Sequence, residues 1–162
     1  YEVNIATQEV IAIYNSKGLI GLNFDKNVLS HKPHNLSKKE IQNWTKDQWA
    51  QLFVDNLLGM VVATKRLVPS IDASIWDIFA MGSDFDGFIN PVNCFPTAAS
   101  FPFLEPVLIN LLNNNPKFKQ LAFGLSPQVV VSKFMGQNAI NFLKKHYNSN
   151  TNSLITKQIV SK

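Results

Sequence analysis

The residues best suited to chemistry in this chain are the two aspartates of Met81-Gly82-Ser83-Asp84-Phe85-Asp86-Gly87. An apolar run (Ile75, Trp76, Ile78, Phe79, Ala80, Met81) ends there abruptly in acids and glycines. Such a run reads as a buried parallel strand that delivers a carboxylate to the mouth of a site. The glycines let the backbone turn without a Cβ clash. Barrels and doubly wound sheets build their chemistry at the carboxyl ends of strands, where a carboxylate can carry a proton. The plain alternative is an Asp-Gly turn that closes an ordinary strand.

A carboxylate at a strand end needs elements to hold it. Residues 7–16 predict a helix with Val10, Ile11 and Tyr14 on one face, stopped at Gly18. Residues 19–24 form a short, almost wholly apolar strand that runs into a polar loop at 25–36. A strand apolar on both faces belongs in a sheet covered on both sides by helices. Ser37-Lys38-Lys39-Glu40 and Thr45-Lys46-Asp47-Gln48 are capping boxes, and the second opens the clearest helix, to about residue 65. Its stripe of Trp49, Leu52, Phe53, Leu57, Met60 and Val61 is core packing.

A strand is expected near 75–83, a Pro/Asn/Ser loop over 88–100, and a helix at about 102–114 carrying Phe103, Leu104, Val107, Leu108 and Leu111. A short helix follows at 117–123. Ser126-Pro127 opens another through Met135, Gly136 interrupts it, and Asn138 is expected to cap the last turns into Ile140, Phe142, Leu143 and Tyr147. The Asn/Ser/Thr-rich tail at 148–162 is expected to fray.

With 46% hydrophobic residues, twelve Phe and three Trp, the 162-residue chain is globular rather than disordered. No run is apolar and long enough for a membrane span. The first residue is Tyr1 rather than Met, so processing, truncation or missing upstream sequence is expected. A lone Cys94 excludes an internal disulfide and a cysteine-built zinc site, and suits a reducing compartment such as the cytoplasm. The net charge is +4, and no acid follows Glu105. The lysines beyond it are scattered among Asn and apolar residues, which reads as a solvated basic face and not a nucleic-acid surface.

The order of helix, strand, helices, strand, helices argues for a parallel α/β sheet. Two strands leave unpaired edges, and a closed barrel needs eight strands and about 250 residues, so residues 1–147 read as part of a single larger domain. Gly82-Ser83-Asp84-Phe85-Asp86-Gly87 is similar to the last-strand signature of the membrane (renal) dipeptidase family, within the metal-dependent amidohydrolase superfamily. Gly18-Leu19-Ile20-Gly21-Leu22-Asn23-Phe24 resembles that family's seventh strand, and Gly136-Gln137-Asn138 its closing Gly-x-Asn motif. The resemblance covers about residues 4–147.

The resemblance implies the C-terminal portion of a (β/α)8 TIM barrel, its last two strands plus helices. It implies a hydrolase that cleaves small dipeptides with two zinc ions bridged by hydroxide. The family's ligands are a His-x-Asp pair, a bridging Glu and histidines of middle strands. None is identifiable here, so zinc is expected to be held upstream. Asp84 matches the family's last-strand aspartate, which contacts the substrate amine and relays the proton. Two cations would keep its ionised form accessible despite burial. Asn23 either contacts substrate or simply closes its strand, and Asp86 is read as structural. The partners implied are a small peptide substrate, the N-terminal part of the barrel, and a second copy in a homodimer. The chain alone is expected neither to bind zinc nor to fold stably. The loop over 88–103 lacks the family's acidic segment and the insert over 25–75 is long, which bears on dipeptide specificity.

Other readings compete. Asp84-Phe85-Asp86-Gly87 also resembles the Asp-x-Asp-Gly turn of haloacid-dehalogenase-like phosphatases, with Asp84 as nucleophile and Asp86 as acid/base. That family expects Thr where Phe88 stands. A catalytically inactive barrel or interaction module is the non-enzyme reading. His31 and His34 lie close together, but Pro33 between them disfavours metal geometry. His146 is expected to complement a helix dipole.

Overall fold

Local signals place most elements where the sequence puts them. The computed structural model describes residues 5–29, 43–87 and 89–147. The His31/His34 pair, the Ser37 capping box and the 148–162 tail lie outside the described residues. Helix α1 (Thr7–Ser16) opens where the Glu9 carboxylate accepts the Ala6 N–H at 2.8 Å, and closes at Lys17, whose φ of 56° is left-handed. Strand β1 (Ile20–Leu22) follows, then a helical turn, α2 (Lys26–Leu29). The polar loop expected over 25–36 thus begins with a turn of helix, because Asp25 caps it: its Oδ1 accepts the Asn27 N–H at 2.6 Å.

Helix α3 (Lys46–Leu67) opens on the expected capping box. Thr45 N–H donates to Gln48 Oε1 at 2.8 Å, and Gln48 N–H to Thr45 Oγ1 at 3.3 Å. Trp49, Phe53, Leu57 and Val61 are buried as expected, but Leu52 and Met60 are only half-buried. Ala50, Val54 and Leu58 are buried instead, since α3 packs against both α1 and helix α4 (Phe101–Asn113) and needs a wider apolar face than one stripe. Leu104, Leu108 and Leu112 are the buried residues of α4, whereas Phe103 is exposed beneath the Lys46 ammonium at 5.7 Å.

The strand expected over 75–83 is shorter. Residues Ala73–Asp77 form a 3₁₀ turn, and only Phe79–Met81 are strand β2. Ile75 and Trp76 are buried all the same, and the Trp76 indole N–H donates to the Leu121 carbonyl at 2.9 Å. A short buried apolar run carries no periodicity that tells strand from helical turn. What decides is Asp72, whose Oδ1 accepts both the Ser74 N–H (2.8 Å) and the Ser74 hydroxyl (2.6 Å). The Ser74 hydroxyl, and then its N–H, hold the Asp72 carboxyl below its ordinary value of 3.8. A lowered folded value gives stability that is full above the unfolded value and is lost as pH falls through the folded one. Asp72→Ala is therefore expected to be less stable than the parent at neutral pH, with the gap narrowing below about pH 4. Urea midpoints measured from pH 7 to pH 2 check this, and a gap that widens on acidification would contradict it.

The two strands are parallel, with Ile20 opposite Phe79, Gly21 opposite Ala80, and Leu22 opposite Met81. The architecture is mixed α/β: a two-stranded parallel sheet among helices. Helices α5 (Pro116–Leu121), α6 (Pro127–Ser132) and α7 (Asn138–His146) complete it, and a π turn at Lys133–Gln137 joins the last two. Asn138 does not cap α7 as expected. Its buried amide donates to the Trp76 and Phe79 carbonyls, each at 2.8 Å, and so fastens the start of α7 to the 3₁₀ turn and β2. Lys133 pairs with Asp77 at the same place. No described helix is long and apolar enough to cross a membrane.

Candidate active site

Asp84 and Asn23 stand just beyond the carboxyl ends of the two parallel strands. Parallel pairing brings those ends side by side, and Asn23 Nδ2 donates to Asp84 Oδ2 at 3.1 Å across 61 positions of sequence. Asp84 adopts φ 57°, a left-handed conformation that Asp tolerates better than most residues and that lifts it off the strand line. It is exposed, not buried as expected.

Three glycines make this mouth. A Cβ on Gly82 would lie 2.9 Å from Gly21 Cα, and one on Gly21 would lie 3.1 Å from Gly82 Cα. Backbone meets backbone there, so the strand ends approach only because neither residue has a side chain. A Cβ on Gly87 would lie 2.5 Å from Asp84 Oδ1. Glycine at 87 leaves that oxygen its space, while the Gly87 N–H donates to the Asp84 carbonyl at 2.9 Å and closes the turn.

Below the mouth lies an aromatic cluster. Phe24, between Asn23 and Asp25, is fully buried, with ring centroids of Phe53, Phe85 and Phe101 at 4.6, 5.2 and 5.5 Å. Phe85 stacks on Phe101 at 5.8 Å, so the residue after Asp84 is anchored in the core. Asp86 is exposed.

The carboxylate that organises the mouth is Asp25, at the start of the polar loop expected over 25–36. It is 9% exposed, and besides capping α2 its Oδ2 accepts the Asn90 N–H at 2.8 Å. Around it Lys26 N–H donates to the Asn90 carbonyl at 2.9 Å and Val92 N–H to the Phe24 carbonyl at 3.1 Å, with a bridge between Asp25 and Pro91. The loops that follow the two strands are thereby stitched together. Its signal was present in Asn23-Phe24-Asp25-Lys26-Asn27, where Asx side chains can bond the N–H two residues on.

His146 lies against Phe142 at 4.3 Å, in the last turn of α7. Among the described residues, no three His, Cys, Asp or Glu side chains gather as they would around a metal. Beside the mouth, a groove of about 630 Å³ runs along β1. It is lined by Ile5, Gly21, Asn23, Leu29, Leu52 and Met60. Searches against family models, curated proteins and solved structures return no match for this chain.

Proposed function

We propose that this chain is the C-terminal portion of a (β/α)8 hydrolase of the zinc dipeptidase type, contributing Asp84 to its site. The observation that carries the reading is the Asn23–Asp84 hydrogen bond at the paired carboxyl ends of two parallel strands. That is the face on which parallel barrels assemble chemistry. The open groove along β1, with Gly21 exposed in it, supports a sheet that continues on that side.

The described residues do not make a zinc site, so the metal would be held elsewhere in the complete polypeptide. Zinc in such hydrolases supplies an activated water. This chain supplies the acid–base partner. The exposed Asp84 carboxylate accepts a hydrogen bond from Asn23 on Oδ2, and Gly87 keeps Oδ1 unobstructed by a side chain. A carboxylate held this way can bind the ammonium of a small peptide and pass a proton to the departing amine. The test is hydrolysis of small dipeptides by the complete polypeptide, with and without zinc. Release of phosphate from phosphoesters, without peptide cleavage, would favour the phosphatase chemistry of Asp84 and Asp86 instead.

A further inference from the structure

Asp84 is held by an amide, and an amide has two unlike ends. Asn23 must turn its nitrogen towards Asp84, because a carboxylate only accepts hydrogen bonds. What fixes that orientation is on the other side of the same group: Asn23 Oδ1 accepts the Asp25 N–H at 2.6 Å. The Asp25 backbone is fixed in turn by its own side chain, whose Oδ1 and Oδ2 accept the Asn27 and Asn90 N–H groups at 2.6 and 2.8 Å. Hydrogen bonds to an ionised acceptor are the strong ones, and this carboxylate is nearly enclosed.

We infer that Asp25 is a positioning residue, whose carboxylate clamps the two loops together and through its N–H holds Asn23 in the orientation that donates to Asp84. The inference rests on the reading of Asp84 as the site carboxylate only for its catalytic consequence. The relay Asp25–Asn23–Asp84 is a property of the fold and can be tested without it.

Asp25→Ser isolates the clamp. A serine hydroxyl still caps α2 by accepting the Asn27 N–H, so the helical turn survives, but the tie to Asn90 is cut. The first readout is the side-chain amide of Asn23 in ¹H–¹⁵N spectra of the complete polypeptide. The Nδ2 proton that faces Asp84 is expected downfield of its ordinary amide position in the parent, and to return towards that position in Asp25→Ser. An unchanged Asn23 amide signal in a folded Asp25→Ser chain overturns the inference. The second readout is a double-mutant cycle in the complete enzyme. Asp25→Ser and Asn23→Ala are each expected to lower kcat by about tenfold to a hundredfold, the scale of misplaced catalytic groups. The double variant should be no worse than Asn23→Ala alone. Multiplicative losses would mean that Asp25 acts by another route, and would overturn the relay. If Asp84→Asn leaves activity untouched, the dipeptidase reading fails, while the Asn23 amide signal still decides the role of Asp25.

Discussion

Asp84→Asn in the complete polypeptide is expected to slow dipeptide hydrolysis by about a hundredfold to ten-thousandfold, the usual contribution of a positioned acid–base group. The fold should not change with it. Asp84 is exposed, asparagine also tolerates a left-handed backbone, and its amide oxygen can still accept from Asn23. What is lost is the charge that holds an ammonium and the second basic oxygen that carries a proton. Steady-state rates with a small dipeptide, alongside a melting curve, separate the two effects. Undiminished turnover in a folded Asp84→Asn protein would remove Asp84 from the mechanism.

The largest expected effect on stability comes from beneath the same mouth. Phe24→Ala should cost about 3–5 kcal/mol, the range for deleting a buried aromatic ring. Phe24 has no exposure and touches Phe53, Phe85 and Phe101, so the cavity would open between β1, α3, α4 and the turn that carries Asp84. Neighbours anchored from three elements cannot all move inward to fill it. A whole domain has only about 5–15 kcal/mol of stability, so this one ring decides whether the mouth persists. Urea unfolding of the complete polypeptide checks it, and a loss under about 1 kcal/mol would show that the cluster collapses without strain. The two substitutions thus make opposite demands. Asp84→Asn should change rate and leave stability alone, and Phe24→Ala should change stability first.

Much of this was legible because it is local. The Thr45–Gln48 box, the Ser126-Pro127 start of α6 and the apolar face of α3 are written in adjacent residues, and each element forms there. The two strands and their shared carboxyl face were also readable, since continuous apolar runs ending in polar residues imply parallel pairing. The direct bond between Asn23 and Asp84 goes beyond that expectation, because strand register depends on both partners at once.

What escaped the sequence is what tertiary contact decides. Nothing local distinguishes Ile75 and Trp76 in a 3₁₀ turn from the same residues in a strand, since both arrangements bury them. Asn138 reads as a helix cap, yet two carbonyls 62 and 59 residues away, one in the 3₁₀ turn and one in β2, claim its amide. Asp25 reads as a loop acid and is the carboxylate that joins two loops, because its second partner, Asn90, is 65 positions distant. Buried polar side chains are placed by the backbone groups they must satisfy, and those groups are known only once the chain is folded.

The measurement that tests the central claim most directly is dipeptide hydrolysis by the complete polypeptide, before and after treatment with a metal chelator. Cleavage of small dipeptides that is lost on chelation and returns on adding zinc, but does not return in Asp84→Asn, is the predicted result. Peptide cleavage indifferent to zinc, or no peptide cleavage from a folded, zinc-loaded protein, would contradict it.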